Sequence, residues 1–84
     1  MREKYYKLLS ENRLIDIFED LEDFSYTQKY TLIKNLLEKY SNHVVNLALY
    51  EYKNTHIDLQ RVQIKMMSRE FEGIAKKYSR VVTI

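Results

Sequence analysis

Residues 25–55 read SYTQKYTLIKNLLEKYSNHVVNLALYEYKNT, and the spacing of their apolar side chains decides the fold class. Tyr26, Tyr30, Ile33, Leu37, Tyr40, Val44 and Leu47 recur in alternating steps of four and three, a heptad-type seam lasting three repeats. Ser25 opens the seam as Ser-x-x-Gln, a capping box in which Gln28 reaches back to the cap. The pattern predicts one helix over residues 26–53. A straight helix of that length measures about 42 Å, whereas a compact chain of this size has a radius of gyration near 12 Å and is about 30 Å across. Either the helix breaks near Ser41-Asn42-His43, with Ser41 or Asn42 capping a shorter helix from Val44, or the molecule is elongated and a second copy covers it. The unbroken run from Tyr40 through Val44 to Leu47 argues for continuity.

Two further helical patterns flank this one. Upstream, Leu14, Ile17, Phe18 and Leu21 share one face of a predicted helix over residues 11–22. Tyr5, Tyr6, Leu8 and Leu9 form a short turn before it, with Ser10 as a cap between the two. Downstream, Thr55-x-x-Asp58 is a weaker capping box, and Ile57, Ile64, Met67, Phe71, Ile74 and Tyr78 form a seam over residues 56–79, with Gln60 at its one polar position. The chain turns back at about Lys53 to Thr55. Val81-Val82-Thr83-Ile84 has strand-like residues but no partner strand, so it is expected to fray. The expectation is a single all-α domain over residues 1–84: three helices, a long antiparallel hairpin among them, with a dimeric helical bundle as the elongated variant.

Composition narrows the chemistry. At 45% hydrophobic and 31% charged, the 84-residue chain is neither a disordered tail nor a membrane-buried segment. The absence of cysteine excludes disulfides, thiolate metal sites and a cysteine nucleophile. One glycine and no proline remove glycine-rich phosphate loops. His43 and His56 are thirteen residues apart, match no helical ligand pair, and fall short of the three or four ligands of a zinc site. Serines stand at 10, 25, 41, 68 and 79, four of them at predicted helix ends where capping explains them. No enzyme, cofactor, metal or small-molecule substrate is expected. The N-terminus lacks the apolar core of a signal peptide. The uncharged stretch between Lys39 and Glu51 is about half of the roughly 20 residues a membrane span needs. These features predict a cytoplasmic protein with no membrane partner. The Lys, Asn, Ile and Tyr bias suits AT-rich coding, as in a low-GC bacterium or its mobile elements.

Apolar residues remain off the seams. Val45, Leu49 and Tyr52 lie to one side of the second helix and Tyr50 to the other, while Leu59, Val62 and Met66 form a second patch on the third. A helix apolar around most of its circumference is normally buried. Either the N-terminal turn covers this surface, or a second copy does, and the latter predicts a homodimer joined at the hairpin tip.

Charge is segregated as well, although the formal net charge is only +2. Glu19, Asp20, Glu22 and Asp23 form an acidic run without the spacing or glycine of a calcium loop. Arg61, Lys65, Arg69, Lys76 and Arg80 fall within an arc of about 100° on the third helix, nearly opposite its seam, with Glu72 inside the arc. Two functions compete. In the first, this is a small interaction or regulatory protein that binds another protein, with Tyr50 and Tyr52 as anchors, the tip residues as interface and the acidic run as rim. In the second, a dimer lays its basic stripes along nucleic-acid phosphates. The seam tyrosines are core residues first, which counts against a single-strand stacking platform.

Overall fold

A computed structural model of the chain describes residues 1–19, 24–55 and 64–81. Its elements are α1 (Arg2–Asn12), α2 (Tyr26–Lys39), α3 (Asn42–Thr55) and α4 (Ile64–Val81), with no strand among the described residues. The fold is all-α, as expected, but the helices are divided differently.

The first helix lies nine residues upstream of the predicted one. Tyr5 and Leu9, four apart, are the face that α1 buries. Its end is fixed by Arg13, which adopts the left-handed conformation (φ 56°, ψ 41°). The Leu14 amide then donates back to the Leu9 carbonyl (2.9 Å) and the Arg13 amide to the Ser10 carbonyl (3.3 Å), a Schellman arrangement. Residues 14–19 do not continue as helix, because their polar groups find other partners. Asp16 accepts from the Phe18 amide (3.0 Å) and the Tyr5 hydroxyl (2.7 Å), and the Ile15 amide donates to Asn46 Oδ1 (3.1 Å). Leu14, Ile17 and Phe18 are nevertheless buried, so the expected burial holds while the expected 11–22 helix does not.

A non-glycine residue pays about 1–2 kcal/mol for the left-handed conformation. Arg13→Gly should therefore raise stability by about 0.5–1 kcal/mol, after allowing for the greater freedom of glycine in the unfolded chain. Chemical denaturation checks this, and a lower midpoint would mean that the arginine side chain contributes more than its backbone strain costs.

The capping box at Ser25 forms as expected. The Gln28 amide donates to Ser25 Oγ (3.2 Å) and the Ser25 amide to Gln28 Oε1 (3.0 Å). The predicted 26–53 helix, however, is two helices. Tyr40 is extended (φ −131°, ψ 156°) although its amide still bonds the Leu36 carbonyl. Ser41 Oγ then accepts from the Val44 amide (3.3 Å) and caps α3. The break resolves the length conflict: the radius of gyration is 12.0 Å and the longest extent 36 Å, too short for a straight 42 Å helix. Lys53 to Thr55, expected as the turn, are instead the last residues of α3, where Thr55 Oγ1 donates to the Glu51 carbonyl (2.8 Å). The remainder of the predicted downstream cap lies in residues 56–63, outside the described residues, as do residues 82–84.

α4 packs against α3 and also lies along α2. Met67, Phe71 and Ala75 are its fully buried residues. The Phe71 ring meets Tyr52 at 4.4 Å and Phe18 at 6.4 Å between centroids. Two polar clips hold α4 at the surface. Lys39 Nζ meets Glu72 Oε1 (2.9 Å), and Glu51 Oε1 accepts from both Lys77 Nζ and the Tyr78 hydroxyl (each 2.8 Å). Lys29, at 6% exposure, is the buried charged residue among those described. Its ammonium donates to the Phe18 carbonyl (3.0 Å) and stands 4.8 Å from the Tyr26 ring centroid.

Candidate functional site

The apolar patch that suggested a dimer is largely core. Val45, Leu49 and Tyr52 are completely buried within the chain, packed in one cluster with Phe18 and Phe71. Within the single chain they are covered, as in the alternative in which the chain closes over its own patch, and α4 packs on α3 there. Leu59 and Val62 lie outside the described residues. Tyr50 (47% exposed) and Met66 (54%) remain at the surface. Glu19 is exposed, while Asp20, Glu22 and Asp23 lie outside the described residues.

The basic stripe is at the surface. Lys65, Arg69, Lys76 and Arg80 are all exposed on α4, with no carboxylate within salt-bridge distance among the described residues; Arg61 is outside them. They lie within about 60° around the helix and span about 22 Å along it. Glu72, just beyond the Lys65 edge of this arc, is engaged by Lys39, whose ammonium, with a smaller contribution from Lys76, holds the Glu72 carboxyl below the usual carboxylate range. Lys39, raised by the same hydrogen bond, thus cancels the one negative charge at the edge of the stripe and leaves its four cations unopposed there.

Beside the stripe runs a groove between α2 and α4. Its open end, of about 310 Å³, has Leu32 as floor and Thr27, Gln28, Thr31, Asn35, Lys65 and Ser68 as walls. Leu32, Asn35 and Ser68 also line a smaller neighbouring cavity of about 120 Å³ that reaches the Lys39–Glu72 clip. Thr27, Thr31, Asn35 and Lys39 follow one another at steps of four, one exposed ridge of α2. That spacing is visible in the sequence, but polar uncharged residues on a helix read there as plain solvated surface. The groove wall therefore offers hydroxyls and amides, and the stripe offers ammonium and guanidinium groups. This pairing of donors is the one that proteins direct at phosphate oxygens.

Compared with known proteins, the chain matches no family model, no curated protein and no solved structure.

Other constellations offer less. His43 is exposed on α3, and His56 lies outside the described residues. Among the described residues no three His, Asp or Glu side chains are placed to hold a metal ion, and no helix is long and apolar enough to cross a membrane. The exposed aromatics Tyr6 and Tyr50 do not line the groove.

Proposed function

We propose that this chain is a non-catalytic binding protein whose α2–α4 face docks on the sugar-phosphate backbone of duplex nucleic acid. The observation that carries this reading is the groove itself: donor-rich walls, its one carboxylate neutralised by Lys39, and four cations alongside on α4. The protein-partner reading draws less support, because Val45, Leu49 and Tyr52 are buried in the core and leave Tyr50 and Met66 as exposed apolar anchors among the described residues. A duplex fits better than a single strand, since the described residues of the face include no aromatic platform on which splayed bases would stack. Contacts of this kind fix position without reading sequence, so the binding is expected to be sequence-independent.

Titration with a duplex oligonucleotide at several salt concentrations tests the proposal. Four neutralised phosphates give a slope of about −3.6 in log K against log salt, hence about a hundredfold loss of affinity between 50 and 200 mM. Replacing Arg69 and Lys76 with glutamate should abolish measurable binding while leaving the melting temperature unchanged, since both side chains are exposed. A wild-type protein that fails to bind duplex even at the lowest salt would return the protein-partner reading to first place.

A further inference from the structure

Gly73 sits at the tenth position of the eighteen-residue α4, midway along the basic stripe and about 20° outside its arc, beside Arg80. A glycine inside an exposed helix weakens it relative to alanine, so its presence asks for a reason. The fold supplies none. Its φ is not positive, so no left-handed turn requires it. A Cβ built there would meet nothing within 4 Å, so no neighbouring element needs the space. Arg69 stands one turn before it and Lys76 one turn after, both exposed and without a carboxylate within salt-bridge distance among the described residues. On the helix surface Gly73 is therefore a low point at a height between two cations, about 6 Å from one and 4.5 Å from the other along the axis and about 40–60° to one side of them.

Resting on the duplex-binding reading above, we propose that Gly73 is the crossing point of the bound strand: the phosphodiester backbone lies against the bare α4 backbone there, and Arg69 and Lys76 reach the phosphates on either side. A side chain at 73 would hold the strand away from the helix and lengthen the reach of both cations. The glycine thus acts as a positioning residue for them, through the absence of its side chain.

Gly73→Ala and Gly73→Leu test this together, because both residues favour helix and both have open space. Each should raise the melting temperature, the alanine variant by about 4–8 °C. Each should also weaken duplex binding, the leucine variant by about eightfold at 0.1 M salt for every phosphate that its cation no longer reaches, with the salt slope shallower by about 0.9. A residue with a purely structural part would not move the slope while the fold grows more stable. If both variants bind as tightly as wild type while Arg69→Glu does not, the crossing point is elsewhere and the duplex reading stands. If the wild type binds no duplex at low salt, the crossing point and the duplex reading are both overturned.

Discussion

Replacing Leu49 with glutamate should unfold the protein. Leu49 is fully buried on α3, in the same cluster as Val45, Ala48 and Tyr52. The substitution forfeits about 1.5–3 kcal/mol of leucine burial and places a carboxylate where leaving water costs several kcal/mol more. At roughly 0.05–0.15 kcal/mol per residue, a chain of 84 residues has a total stability of only about 4–13 kcal/mol. Circular dichroism should show the helical signal lost or a melting temperature lowered by tens of degrees. Tyr50→Glu, one residue further and half exposed, is the control and should change stability by less than about 0.5 kcal/mol. If Leu49→Glu stays helical with the same melting temperature and only lowers the sedimenting mass, Leu49 lies between subunits rather than in the core.

Stability should also fall steeply above pH 10. Burial, and then the hydrogen bond to the Asp16 carboxylate, push the Tyr5 hydroxyl up from its usual ionisation range. Burial, followed by the Glu70 carboxylate, does the same to Tyr52. Both pKa values are raised in the folded state. Their contribution is therefore complete below the unfolded value near 10 and is lost as the pH climbs toward the folded values. In that window the unfolded chain releases protons that the native state keeps, so each tyrosine removes about 1.4 kcal/mol per pH unit. Two of them remove about 2.8 kcal/mol per unit, which brings a domain at the lower end of that stability range to its unfolding midpoint within about two units. Lys39 and Lys77, raised by their glutamate partners, act in the same direction at the surface. On the acid side Glu51 and Glu72 are lowered by those same lysines, so their support is present above the unfolded carboxylate range and lost as the pH drops through the folded values. A plateau between about pH 5 and 10 follows. Melting curves from pH 9 to 12, with tyrosinate absorbance recorded alongside, check the prediction. The slope should fall by about 1.4 kcal/mol per pH unit in Tyr5→Phe, and a stability independent of pH up to 12 would show that neither hydroxyl is withheld from water.

The sequence made the helical class legible, along with the Ser25 cap and most of the α4 face, since Met67 and Phe71 are buried and Ile74 and Tyr78 pack against the core. The break at Tyr40–Ser41 was hidden because one extended residue leaves the three-and-four spacing from Tyr40 to Val44 intact. The buried face of α2 is one position away from the expected seam. Lys29, Leu32, Ile33 and Leu36 are its buried residues, whereas Tyr26, Tyr30, Leu37 and Tyr40 lie on the flank. Tyrosine drew the seam toward itself because it is large and apolar in body, yet its hydroxyl places it at the rim. Ala48 and Ala75, fully buried where helices approach, carried too little volume to mark a face, and a lysine gave no hint of burial. Of the candidate site, the stripe was legible as a run of like charges on one face. The neutralisation of Glu72 by Lys39 was not, because it joins residues 33 positions apart that only the packing of α2 beside α4 brings together.

The enclosure of Lys29 has a consequence for chemical labelling. An acylating reagent needs a free amine and a line of approach, and the Lys29 amine is bonded to the Phe18 carbonyl with the Tyr5 and Tyr26 rings beside it. Lys4, Lys7, Lys34, Lys53, Lys65 and Lys76 stand in solvent and are open to reagent at once. Lys29 becomes reactive only when α2 and residues 14–19 part, so its rate of modification counts the excursions of the chain away from its native state. The protein thereby carries an internal clock for its own opening, readable by mass spectrometry at one residue without any added probe.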